Sequence, residues 1–155
     1  MKAEVSNTIR VGDKDFSLSV SSEKIQKAVS EIAAKMNTEL NNKKPLFISV
    51  LNGSFLFTAD LLKQLNFDCE ITFVKLASYS GTSSSGKIKE LIGLSEDVKD
   101  RTVVVIEDII DTGVTLENIF NRLSEKGAKE MKVAALLFKP KAYTKKIKNY
   151  LSQKS

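Results

Sequence analysis

The stretch RTVVVIEDIIDTGVTLENIF, residues 101–120, restricts this chain more than any other. Thr102 is followed by Val103, Val104, Val105 and Ile106, a β-branched run without polar alternation, which reads as a strand covered on both faces. Glu107 and Asp108 come next with no spacer, then Asp111, Thr112, Gly113, Val114 and Thr115. Leu116, Ile119, Phe120 and Leu123 recur at helical spacing, so the polar residues are predicted on a turn between a central strand and a helix. Open α/β sheets bind ligands at such places.

The pattern recurs along the chain. Residues 9–20 suggest a short hairpin or an extended arm, with Gly12-Asp13 as a turn signal, and residues 21–40 a helix with Ile25, Val29, Ile32, Met36 and Leu40 on one face, capped by Ser21 or Ser22. LFISVL (46–51) reads as a buried strand, followed by Asn52-Gly53-Ser54 and an apolar helix with Phe57, Leu61, Leu62 and Leu65. Residues 68–76 alternate, with Cys69, Ile71, Phe73 and Leu76 opposed to Glu70, Thr72 and Lys75, and predict another strand. Serine and glycine crowd residues 78–87, either a plain hairpin loop or a lid over a site, and residues 88–94 are the returning arm. Gly127 signals a helix stop, residues 131–138 a further buried strand, and the lysine-rich remainder a frayed tail. Strands alternating with helices imply an α/β fold with a doubly wound, largely parallel sheet, in a single domain spanning 1–155.

Composition narrows the chemistry. A chain of 155 residues with 42% hydrophobic content can bury a real core, and no apolar run suggests a signal peptide or a membrane span, so a cytoplasmic protein is expected. The single cysteine, Cys69, cannot form an intrachain disulfide. There is no histidine, which excludes Ser-His and Cys-His nucleophiles and an imidazole base, and leaves acid–base work to carboxylates, lysines or tyrosines. The net charge of +5 is mostly scattered lysine, a pattern that suits a solvated surface better than a nucleic-acid groove.

Several chemistries compete for the acidic turn. A P-loop needs a lysine after its glycine, whereas Gly113 precedes Val114-Thr115. Asp111-Thr112-Gly113 also has the form of an aspartic-protease triplet, but a helix follows it instead of an all-β frame. A sugar-phosphate site fits both residues and setting. Residues 112–115 offer hydroxyls and N–H groups at a helix start, while Glu107 and Asp108 are able to accept from vicinal ribose hydroxyls or face a hard divalent cation. The plainer alternative is a solvated strand end with Asp111 as a helix cap.

VVVIEDIIDTGVTL closely resembles the ribose-phosphate motif of type I phosphoribosyltransferases, in particular the hypoxanthine and hypoxanthine-guanine enzymes of purine salvage. The resemblance extends through VLNGSFLFTADLL (50–62), LASYSGTSSSGKIK (76–89) and ALLFKP (135–140). It implies that Leu51, Asn52, Gly53 and Ser54 form a pyrophosphate-binding loop, with a cis peptide at its first bond, and that Ser78 and Tyr79 begin a mobile lid. It further implies that Glu107 and Asp108 hold ribose hydroxyls or Mg2+, that Asp111 handles the proton on the purine ring, and that Thr112, Gly113, Val114 and Thr115 cradle the 5′-phosphate. Lys139 matches the lysine that reads the exocyclic oxygen of a 6-oxopurine.

The implied substrates are 5-phosphoribosyl-1-pyrophosphate (PRPP) and hypoxanthine or guanine, the implied assembly a homodimer or homotetramer, and neither DNA nor membrane is an implied partner. Members of the family continue past the equivalent of Tyr150 with an aromatic residue that stacks on the base and an aspartate near magnesium, whereas this sequence reads LSQKS there. An incomplete hood is therefore expected, with base contacts from Tyr143, Tyr150 or a neighbouring subunit and part of the sheet edge exposed. The alternative from another class is a regulatory protein that binds PRPP or RNA on the same fold without catalysis.

Overall fold

Neighbouring residues of the central strands enter opposite layers, and this explains why their sequences are apolar without a break. In the computed structural model, which describes residues 8–78, 88–143 and 150–152, the elements are β1 (Thr8–Val11), β2 (Lys14–Ser17), α1 (Ser22–Glu39), β3 (Leu46–Leu51), α2 (Phe55–Leu62), β4 (Glu70–Ser78), β5 (Ile88–Ile92), β6 (Thr102–Ile110), α3 (Val114–Glu125), β7 (Glu130–Phe138) and β8 (Tyr150–Ser152). Leu46, Ile48 and Val50 of β3, Val103 and Val105 of β6, and Val133 and Ala135 of β7 pack with Leu116, Ile119 and Leu123 of α3. Phe47, Val104, Ile106 and Ala134 face the other way, onto Val29, Ile32, Ala33 and Met36 of α1 and Phe57 and Leu61 of α2. The sheet is doubly wound, with α1 and α2 on one face and α3 on the other.

Six strands form the main sheet in the order β5-β4-β3-β6-β7-β8, all pairs parallel except β4 with β5. From β3 the chain moves outward to β4 and β5, then returns to place β6 on β3's other side. The winding reverses between β3 and β6, and the carboxyl ends of these two strands flank the crevice so created. β1 and β2 pair antiparallel as a separate hairpin with all eight residues exposed. Ser21 caps α1, accepting from Lys24 N.

Three expectations need correction. Glu107 and Asp108 lie within β6, not on the following turn: β3 pairs with β6 only to Ser49↔Ile106, but β7 continues alongside it to Ile110↔Phe138. The alternation in β4 has the opposite sense. Thr72 and Val74 are buried, and Val74 and Leu76 join the core under α3, while Ile71 and Phe73 remain partly exposed. The tail is also not wholly frayed, since Tyr150–Ser152 adds β8 parallel to β7.

Candidate active site

The crevice is closed on one side by the loop after β3 and on the other by the overhang of β6. Leu51-Asn52 is a cis peptide. Gly53 then lies directly against Asp108: a Cβ built on Gly53 would stand 2.6 Å from Asp108 Cγ and 2.8 Å from its Oδ1. Only glycine lets loop and carboxylate approach this closely. Asp108 Oδ1 is held in turn by the backbone N–H of Ile109 at 2.8 Å.

Glu107 is the least satisfied carboxylate described. Its Oε2 is shut off from water and meets no hydrogen-bond partner among the described residues. Burial, aided by the neighbouring charge of Asp108, pushes its carboxyl up to about 8 from the usual 4.5. A buried acceptor without a donor costs stability, so the geometry favours a ligand that brings hydroxyls or a cation. Among the described residues no group of three or more His, Cys, Asp or Glu could hold a metal. Magnesium keeps several waters and usually completes its shell from substrate phosphates, so it would need only one of Glu107 and Asp108, which as consecutive residues of β6 alternate in direction.

Past the overhang, Asp111 meets the residue that follows β7. Lys139 Nζ lies 3.1 Å from Asp111 Oδ2, with both side chains about half exposed (55% and 52%). The Lys139 backbone N–H donates to the Ile110 carbonyl at 2.9 Å, fastening the end of β7 to that of β6. Sequence reasoning selected these two residues separately; the parallel register puts them face to face. Gly113, not Asp111, is the N-cap of α3, with φ at +84° in the left-handed region that favours glycine. Its carbonyl accepts from Glu117 N at 2.9 Å, and Thr112 Oγ1 accepts from Val114 N at 3.4 Å. Thr115 lies in the first turn of α3.

The remaining candidates are less informative. The backbone of Ser78 ends β4, and Tyr79, with the proposed lid to residue 87, lies outside the described residues. Tyr143 packs edge-on against Phe138, ring centroids 5.3 Å apart, beside the core under α3. Two residues went unnoticed in the sequence: Ser49 and Thr58, buried with Ser54 of the expected loop and joined to it by hydrogen bonds through Ser49. The available signal was Ser49 itself, a hydroxyl inside the apolar run LFISVL.

The fold and this crevice define a phosphoribosyl-transfer architecture. The phosphoribosyl transferase domain family matches residues 20–154, and the chain belongs to that family. Among its relatives, the hypoxanthine-guanine phosphoribosyltransferase of Streptococcus pneumoniae is 38% identical over 122 residues, covering 78% of this chain and 68% of that protein. The enzyme of the same name from Bacillus subtilis is 39% identical with the same coverage. Of solved structures, a hypoxanthine-guanine phosphoribosyltransferase from Bacillus anthracis superposes with a TM-score of 0.78 at 31% identity, covering 88% of this chain and 82% of that one. A hypoxanthine phosphoribosyltransferase from Staphylococcus aureus gives 0.76 at 29% identity, covering 83% and 71%.

Proposed function

We propose that the chain is a 6-oxopurine phosphoribosyltransferase of purine salvage, converting PRPP and hypoxanthine or guanine to the nucleoside monophosphate and pyrophosphate. The observation that carries the reading is the convergence, at one topological switch, of the Gly53 loop, the Glu107–Asp108 overhang and the Asp111–Lys139 pair.

In this reading a purine ring nitrogen attacks C1 of the ribose as the bond from C1 to the pyrophosphate oxygen breaks. Charge develops on the sugar as in other glycosyl transfers. Glu107 and Asp108 accept from the ribose hydroxyls, and Glu107 Oε2 thereby gains the donor it lacks. The N–H groups and hydroxyls of residues 112–115 receive the 5′-phosphate at the start of α3. The loop of residues 51–54 binds the leaving pyrophosphate. Asp111 accepts the proton released from the purine ring, and Lys139, freed from Asp111, donates to the exocyclic oxygen. Adenine has no such oxygen and would leave that donor unmatched, which sets the preference for 6-oxopurines. Magnesium held by Glu107 or Asp108 and the diphosphate would neutralise the leaving group.

We place this activity in the cytoplasm and in a homodimer or homotetramer. No helix among the described residues is long and apolar enough to cross a membrane. Incubation with hypoxanthine, PRPP and magnesium tests the reading: inosine monophosphate should form, and none at high protein concentration would overturn it. PRPP binding measured by calorimetry without turnover would favour the regulatory alternative instead.

A further inference from the structure

Beneath the loop of residues 51–54 lie three buried hydroxyls whose hydrogens are assigned by simple accounting. Ser54 Oγ donates to the Val50 carbonyl at 2.6 Å, because a carbonyl only accepts. Having one hydrogen, Ser54 Oγ must accept across its 2.7 Å contact with Ser49 Oγ, so Ser49 donates. Ser49 is then an acceptor at its 2.8 Å contact with Thr58 Oγ1, and Thr58 donates. The result is a one-way chain, Thr58 to Ser49 to Ser54 to the Val50 carbonyl. Ser49 and Ser54 have no exposed surface and Thr58 only 2%, so water does not compete.

This chain spans the loop from below. Thr58 is in α2, Ser49 in β3, and Ser54 at the loop's far end, where its backbone N–H also reaches the Val50 carbonyl at 3.3 Å. Among the described residues, the backbone N–H groups of Asn52 and Gly53 meet no acceptor in the structure, so they remain available to an anion. We propose that Thr58 and Ser49 are positioning residues for pyrophosphate recognition: their hydroxyls hold the loop so that the N–H groups of Asn52 and Gly53 meet the diphosphate. The inference rests on the transferase reading above, and goes beyond it by assigning specificity for the donor to side chains that never touch it.

The test compares two variants of the intact protein by calorimetric titration with magnesium pyrophosphate, alongside thermal melts. Thr58→Val keeps the shape and loses the hydroxyl; Thr58→Ser keeps the hydroxyl and loses the methyl. The proposal expects Thr58→Val to bind pyrophosphate about tenfold more weakly, the scale of one hydrogen bond, with Thr58→Ser close to wild type. The KM for PRPP should rise in parallel and the KM for hypoxanthine should not. Should Thr58→Val bind as wild type does, or Thr58→Ser prove the weaker of the two, the positioning role is wrong and the hydroxyls are only packing. If Thr58→Val does not fold, Ser49→Ala, which cuts the chain at its middle, supplies the same comparison. A wild-type protein that binds neither PRPP nor pyrophosphate would overturn the transferase reading itself.

Discussion

Two glutamates near opposite ends of the β6–β7 ladder are treated in opposite ways. Glu130, beside Thr102 at the amino end, accepts from Lys43 Nζ at 2.7 Å and from Thr102 Oγ1 at 3.1 Å, with Lys132 Nζ 3.4 Å away. These contacts, the hydrogen bond from Lys43 foremost, hold its carboxyl below the usual range. Glu107, at the carboxyl end, is pushed the other way and keeps an orphan oxygen. At the amino end the chain answers the charge of Glu130; at the carboxyl end it leaves Glu107 Oε2 without a donor. The difference is the physical ground for reading Glu130 as a stabilising carboxylate and Glu107 as a candidate ligand-binding one.

Variants at the two ends should therefore fail differently. The largest effect is expected for Asp111→Asn, which removes the proposed proton acceptor and should lower kcat by about 10²–10⁴-fold, with little change in melting temperature because the Asp111–Lys139 pair is exposed. Gly53→Ala comes next: the added methyl meets the Asp108 carboxylate and should displace the loop, cutting kcat/KM by roughly 10²-fold.

Glu107→Gln should change stability as well as activity. Because the folded value, about 8, is above the usual 4.5, the folded state holds the proton more tightly. The contribution of Glu107 to stability without ligand is then greatest below pH 4.5 and declines toward pH 8, at no more than about 1.4 kcal/mol per pH unit. Melts of Glu107→Gln across this range should lack that slope, and an unchanged slope would show that Glu107 titrates normally.

The smallest effect belongs to the amino end. Glu130→Gln should cost about 1 kcal/mol, or roughly 2–4 °C in melting temperature, and leave catalysis intact. Here the folded carboxyl is held low, so its stabilisation is present above the unfolded value and lost as pH falls through the folded one. Wild type and Glu130→Gln should converge in acid. Loss of activity in Glu130→Gln would erase the contrast between the two ends.

Much of this was legible from residue order alone. The unbroken run Val103 to Ile106 announces a strand buried on both faces, because both periodic sets are apolar, and the helical spacing from Leu116 to Leu123 announces the covering helix. The candidate site residues cluster locally in 107–115, where strand, turn and helix start are contiguous, so residue order alone brings them together. The sense of alternation in β4 is not set that way, since it depends on how far α1 and α2 reach across the sheet, and their cover stops short of Ile71 and Phe73.

The sequence by itself determined the doubly wound α/β class and the residue types at the site, because periodicity and turn chemistry are local properties. Only the tertiary structure decided that Glu107 lies in a strand with an orphan oxygen, that Gly53 abuts Asp108, that Lys139 faces Asp111, and that Thr58, Ser49 and Ser54 form one chain of hydroxyls. The first three join residues 28 to 55 positions apart or depend on where the β3–β6 pairing ends. The hydroxyl chain spans nine positions or fewer, but it requires α2 to fold back on β3. Such contacts follow from sheet register and helix docking, which residue order along the chain does not encode locally.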